Sequence, residues 1–134
     1  MQTNISASVI EQLSNLLFTI GQPARIQILF TIREQPACVC HLEAALGLRQ
    51  ASISQHLMTL RGAGLVETIR EGRHIYYKLV NPQVIDLLVG AAKICACPLE
   101  DLFPLSQSPV PGCPCPRCNP GISPELSCKK TSSQ

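Results

Sequence analysis

Between residues 37 and 80 the pattern of apolar residues changes from helical to strand-like, and this change limits the possible folds more than any other feature of the chain. Residues 50–62 carry apolar side chains at helical spacing. Residues 65–70 and 74–80 are instead rich in β-branched and aromatic residues, and Glu71-Gly72 between them predicts a tight turn. The segment therefore predicts a helix followed by a β-hairpin.

A shorter helix is predicted just before this segment, from about Cys40 to Leu46, and Gly47 ends it. Two helices joined by a turn that contains glycine, followed by a hairpin, are the layout of a winged helix-turn-helix. The side chains of the longer helix that are predicted to face the core are Ile53, Leu57 and Leu60.

Three further helices are predicted around this unit. The first ends at Gly21, the second begins at Pro23 and is ended by Pro36, and the last covers residues 83–94 behind an Asn81-Pro82 cap. Their apolar residues at helical spacing are Val9, Leu13, Leu16, Leu17, Ile20, Ile26, Leu29, Phe30, Ile32, Ile85, Leu88, Val89 and Ala92. The predicted fold is therefore mainly α with one small β-hairpin.

The composition changes at Pro98, since eight of the eleven prolines lie from there onward. We therefore predict a folded domain over residues 1–97 and an irregular tail, rich in cysteine and proline, over residues 98–134. The N-terminus lacks the basic segment and the apolar run of a signal peptide, and no segment suits a membrane span. We expect a cytoplasmic protein without a membrane partner, in a compartment that keeps thiols reduced.

Positive charge is concentrated on the predicted helix and hairpin. The net charge is only +2, but residues 49–78 hold five basic and two acidic side chains, a local balance of +3. The outer face of the helix carries small polar side chains that suit base edges in a major groove, and two arginines flank the hairpin tip, where a wing meets phosphate. The predicted DNA-contacting residues are Gln50, Ser52, Ser54, Gln55, His56, Arg61, Arg70 and Arg73.

Three stretches of the chain resemble the ArsR/SmtB family of metal- and metalloid-responsive repressors. They are CVCHLEAALG from Cys38, QASISQHLMTLRGAGLV from Gln50 and EGRHIYYKL from Glu71. The resemblance covers about residues 9–95. It implies a homodimer joined through its first and fifth helices, bound to an inverted-repeat operator in double-stranded DNA and released by an inducer.

Cys38 and Cys40 form a C-x-C at the start of the short helix, where the helix N-terminus favours thiolate over thiol. Soft thiolates suit arsenic(III) and antimony(III), and also cadmium, lead and zinc. The arsenite-sensing branch of the family has another cysteine three residues after this motif, but here Glu43 stands in that place. A third sulfur must therefore come from elsewhere.

Two arrangements of the cysteines remain open. In one, Cys38 and Cys40 recruit a tail cysteine. In the other, Cys95 and Cys97, which follow the fifth helix, bind together with a tail cysteine. The tail candidates are Cys113, Cys115 and Cys118.

These features predict a repressor that is released when thiolates capture arsenite or another soft metal ion. One alternative is a repressor of the same fold that senses thiol oxidation or persulfides. Another is a tail that stores metal or docks a protein without any response to an inducer. The chain has no motif of paired catalytic carboxylates, activated nucleophile or phosphate loop, so we do not expect an enzyme.

Overall fold

The computed structural model describes residues 2–101 and residue 113, with side chains from Ala7 onward. The elements in chain order are α1 (Gln2–Ile20), α2 (Pro23–Thr31), α3 (Val39–Leu46), α4 (Gln50–Gly62), β1 (Val66–Glu71), β2 (His74–Leu79), α5 (Gln83–Ile94) and a short 3-10 helix (Leu99–Asp101). The predicted fold class, mainly α with a two-stranded antiparallel hairpin, is confirmed.

The core lies where α2, α3 and α4 meet. Ile28, Leu29, Leu42, Ile53 and Leu60 are completely buried there. The prediction that α4 turns one apolar side inward is confirmed, because Leu57 is buried with its two neighbours on that side. Burial of this apolar surface is the main stabilising contribution to the helix-turn-helix unit.

Helix α2 is shorter than predicted, since it ends at Thr31 and not next to Pro36. The cause is tertiary. Ala37 forms an isolated antiparallel bridge with Tyr77, so the chain before it must leave the helix early to reach the hairpin in an extended form. Pro36 itself disfavours a helical conformation at the residue before it. Ile32, just beyond the end of α2, is still buried as predicted.

The first strand and the turn of the hairpin lie one residue later than predicted, while β2 begins at His74 as predicted and ends one residue early, at Leu79. Strands β1 and β2 pair from Val66 opposite Leu79 to Glu71 opposite His74, so the two loop residues are Gly72 and Arg73. Gly72 has φ +62° and Arg73 has no positive φ, as in a type II′ turn with glycine at its first central position. The sequence-based placement of the turn at Glu71-Gly72 is therefore wrong by one residue.

Helix α5 begins as predicted, because the Asn81 side chain accepts a hydrogen bond of 2.9 Å from the Gln83 N–H. Its buried residues are Val84 and Leu88. The opposite side of α5 and most of α1 leave large apolar residues exposed, namely Val9, Ile10, Leu13, Leu17, Phe18, Leu87 and Ile94. None of the helices in residues 2–101 combines the length and apolarity that a membrane span requires.

The predicted irregular tail lies mostly outside the described residues. The described part of it consists of residues 98–101, which include the single 3-10 turn, and Cys113.

Candidate nucleic-acid interface and thiol cluster

The structure places α4 with its polar face turned outward. Gly47 closes α3 with φ +67° and its N–H donates to Glu43 O at 2.9 Å, which allows the chain to turn sharply into α4. On α4, Ser54, Gln55 and Arg61 are exposed, and Gln50, Ser52 and His56 are partly exposed. All six predicted DNA-contacting residues of this helix therefore reach the surface.

The wing carries exposed arginines beside its tip. Arg70 lies near the end of β1, and Arg73 lies in the turn itself. Lys78 is different, because its Nζ forms an ion pair of 3.0 Å with Glu67 on the opposite strand. The positive charge offered by the tip therefore comes from the two arginines.

Arg25 on α2 contacts the outward face of α4 through His56, and it was not among the residues predicted from the sequence. Its Nε donates a hydrogen bond of 3.1 Å to Nδ1 of His56, and its η1 nitrogen donates one of 3.0 Å to the Thr19 carbonyl at the end of α1. Burial lowers the pKa of His56 below its ordinary value, and the nearby Arg25 charge lowers it further. No local sequence signal could have revealed this contact, since it joins two helices.

The first turn of α3 holds two buried thiols. Cys38 is the N-cap residue, with extended backbone, and its Sγ accepts a hydrogen bond of 3.4 Å from the His41 N–H. Cys40 lies in the first turn and is 4% exposed, as is Cys38. A sulfur at the N-cap faces the positive end of the helix dipole, which stabilises a thiolate.

Cys113 of the tail packs into the same cluster. The buried members are Cys38, Cys40, Tyr76 and Cys113, with Ala44 at the edge. The structure places Cys113 in the same buried cluster as Cys38 and Cys40, and the arrangement in which the α3 pair recruits a tail cysteine stays a prediction. Among residues 2–101 and Cys113, no three His, Cys, Asp or Glu side chains converge closely enough to hold a metal ion.

Cys95 and Cys97 lie at the surface and do not belong to the buried cluster. Cys95 caps the C-terminus of α5, and both thiols are exposed. Ala96 between them has φ +56°, a conformation that L-residues rarely adopt. The structure thus separates this exposed pair from the buried cluster, while Cys115 and Cys118 lie outside the described residues.

The comparisons with known proteins agree with this geometry. The family model "Bacterial regulatory protein, arsR family" matches residues 22–68. A biofilm growth-associated repressor of Agrobacterium fabrum is 38% identical over 87 residues, which cover 65% of this chain and 74% of that protein.

Two solved structures share the fold. The crystal structure of NolR from Sinorhizobium fredii has a TM-score of 0.64 and 29% identity, covering 69% of this chain and 93% of that one. A fragment from Mycobacterium bovis, described as a homodimeric winged helix-turn-helix DNA-binding domain of a possible ArsR-family regulator, has a TM-score of 0.60 and 25% identity, covering 68% and 84%. The expectation of a regulator and not an enzyme is confirmed. The chain belongs to the arsR family of bacterial regulatory proteins.

Proposed function

We propose that this chain is a transcriptional repressor that binds operator DNA as a homodimer and is released when cysteine thiolates capture arsenic(III) or another soft ion. Residues 1–97 form the DNA-binding and dimerisation domain, and residues 98–134 supply part of the inducer site. The observation that carries the inducer proposal is the shared burial of Cys38, Cys40 and Cys113 at the first turn of α3.

Support for DNA binding comes from the outward face of α4 and from the wing. The exposed Ser54 and Gln55 can exchange hydrogen bonds with base edges, while Arg61, Arg70 and Arg73 are placed to meet phosphates. Helix α4 would lie in the major groove, and the wing would contact the adjacent sugar-phosphate backbone of the DNA. Contacts with base edges provide sequence preference, and contacts with phosphates provide affinity that depends on salt.

Support for a homodimer comes from α1 and α5. Phe18 is 74% exposed and Ile94 is 88% exposed, and other large apolar residues extend along the same two helices. An exposed apolar surface of this kind marks an association site. A second copy of the chain would cover it, and the two recognition helices would then read an inverted repeat. The related fragment from Mycobacterium bovis is described as homodimeric.

Support for thiolate capture comes from the chemistry of the cluster. Cys38, Cys40 and Cys113 belong to one buried cluster, in which their sulfurs do not yet converge on a common point. Soft thiolates prefer arsenic(III), antimony(III), cadmium, lead or zinc to hard cations. Binding needs deprotonated sulfur, which the N-cap position of Cys38 favours. Cys115 and Cys118 are near Cys113 in sequence and remain candidate ligands in the proposal.

The cluster is connected to both DNA-binding elements. Cys40 belongs to α3, which packs on the recognition helix α4. Ala37, the residue before Cys38, is bridged to Tyr77 of the wing, and Tyr76 of the wing contacts the thiols. Drawing the sulfurs together around an ion would therefore move the first turn of α3 relative to the wing.

Fluorescence anisotropy tests the proposal. The probe is a labelled duplex enriched by the wild-type protein from a randomised inverted-repeat library, under reducing conditions. We expect arsenite, or one of antimony(III), cadmium, lead and zinc, to weaken binding about 5- to 150-fold. If only a mild oxidant abolishes DNA binding, the result would instead support a repressor that senses thiol oxidation. Metal uptake without any change in DNA affinity would support a storage or docking tail.

A further inference from the structure

We propose that Arg25 is a positioning residue for DNA recognition, which holds the His56 imidazole so that its Nε2–H is offered to a hydrogen-bond acceptor on the major-groove edge of a base. This inference rests on the proposed function, because it requires that α4 enters the major groove. Arg25 thereby joins the residues that determine base recognition, and His56 is assigned the role of a hydrogen-bond donor to a base.

The contact between the two side chains determines which ring nitrogen carries the proton. The guanidinium of Arg25 has donors only, and its Nε lies 3.1 Å from Nδ1 of His56. Nδ1 must therefore be the unprotonated acceptor. A neutral imidazole has one protonated nitrogen, so its hydrogen is on Nε2.

Arg25 is itself held in place at a second point. Its η1 nitrogen donates to the Thr19 carbonyl at 3.0 Å, in the last turn of α1. Carbonyls in a last helical turn lack helical partners and carry partial negative charge, so they attract a guanidinium. Both Arg25 and His56 are partly buried. The guanidinium thus connects the end of α1 to the recognition helix and restricts rotation of the imidazole.

The surroundings keep the ring neutral. Burial and the Arg25 charge both lower the pKa of His56, which agrees with the tautomer that the hydrogen bond requires. On α4, His56 lies one turn after Ser52, and both side chains reach the surface. Its ring is therefore placed among the residues predicted to face base edges.

The tautomer predicts what His56 selects. A ring that can only donate fits the acceptors of the major groove, which are guanine N7 and O6, adenine N7 and thymine O4. Cytosine presents a donor, its N4 amino group, and is disfavoured. With the opposite tautomer, Nε2 would accept a hydrogen bond and this preference would be reversed. We therefore expect a position in each half-site at which cytosine is rejected because of His56.

The first arm of the test is spectroscopic and does not involve DNA. A long-range proton–nitrogen NMR spectrum of the full-length, nitrogen-15-labelled protein distinguishes the protonated ring nitrogen from the unprotonated one. The chain has only three histidines, and the signal that disappears in His56→Ala belongs to His56. We expect a single Nε2–H tautomer in the wild type and a mixture in Arg25→Met, which keeps an unbranched side chain as far as the position of Nε but has no donor.

The second arm measures base preference by anisotropy. Duplexes enriched by the wild-type protein are changed to cytosine at each half-site position in turn. We expect one position at which the cytosine penalty, about five-fold in the wild type, disappears in both Arg25→Met and His56→Ala. Lys93→Gln removes a positive charge from the last turn of α5 and serves as a control, in which the penalty remains.

The outcomes separate this inference from the proposed function. If the wild type enriches no duplex, the proposed DNA binding and this inference both fail. If DNA binds but the NMR spectrum shows a proton on Nδ1, only the inference is wrong. It is also wrong if Arg25→Met keeps the cytosine penalty that His56→Ala loses. The melting temperature of His56→Ala is measured first and should equal that of the wild type. If Arg25→Met does not fold, the tautomer of the wild type and the cytosine penalty of His56→Ala still test the inference.

Discussion

The backbones of Ala37 and Tyr77 are joined by two hydrogen bonds, one of 3.0 Å from the Ala37 N–H to the Tyr77 carbonyl and one of 2.8 Å in the reverse direction. Ala37 directly precedes the N-cap residue Cys38, and Tyr77 directly follows Tyr76, which packs on the thiols. The thiol cluster is therefore connected to the wing twice, by the backbone pairing of Ala37 with Tyr77 and by the side chain of Tyr76. A movement of the sulfurs would shift strand β2, which leads to the arginines at the wing tip.

The double substitution Cys38→Ser/Cys40→Ser should leave operator affinity within about two-fold of the wild type and abolish release by arsenite. Serine retains an N-cap acceptor, so α3 should still form, but its oxygen is a poor ligand for soft ions. Anisotropy titrations with and without arsenite measure both effects. Cys95→Ser/Cys97→Ser is the matched control and should respond as the wild type does. Release that persists in the first variant would contradict the site on α3.

Substitution of Cys113 by serine should weaken arsenite binding by at least about ten-fold, because one of the three sulfurs of the cluster is lost. Affinity can be measured by competition with a dithiol chelator. Cys128→Ser changes another tail cysteine and is the control. If Cys113→Ser binds arsenite normally while Cys115→Ser does not, the tail supplies a different sulfur from the one proposed.

Arg73→Ala should weaken binding to all duplexes and reduce the slope of log affinity against log salt by about one. The reason is that Arg73 lies in the wing turn and is exposed, where it can neutralise one phosphate. Anisotropy at several salt concentrations gives the slope. Gln55→Ala should instead leave the slope unchanged and relax sequence preference. Equal slopes for Arg73→Ala and the wild type would show that Arg73 in the wing does not contact a phosphate of the DNA.

Local sequence signals predicted those parts of the fold that local interactions determine. The bounds of α4 follow from its own apolar spacing and were predicted correctly. The end of α2 was not, because it depends on the pairing of Ala37 with a distant strand. The sequence supplied the candidate sulfurs but not their partners, since contact between α3 and the tail is a tertiary property. Arg25 was missed for the same reason.

Phe18→Asp should convert the protein from dimer to monomer, because it places a charge on the exposed apolar surface of α1. Sedimentation equilibrium measures the assembly state, and operator affinity should fall because the two half-sites are no longer bound together. Val80→Asp is a matched control, since Val80 is also an exposed apolar residue but lies outside α1 and α5. A dimeric Phe18→Asp protein would show that the chain associates through another surface.

The lowered pKa of His56 predicts a specific dependence of stability on pH. Between its folded-state pKa and the ordinary histidine value of about 6.5, the unfolded chain binds more protons at this site than the folded chain does. The contribution of neutral His56 is therefore fully present above that ordinary value and is lost as the pH falls through the folded-state pKa. Stability should rise with pH across this interval.

Chemical denaturation between about pH 5 and about pH 7.5 measures the effect, and His56→Gln isolates it. Glutamine can still accept the hydrogen bond from Arg25 but does not titrate, so the rise in unfolding free energy with pH should be smaller in this variant. Gln55→Ala, one residue earlier on α4, should keep the wild-type slope. Identical slopes for His56→Gln and the wild type would show that His56 does not titrate differently in the folded and unfolded states, and would remove the electrostatic support for its neutral tautomer.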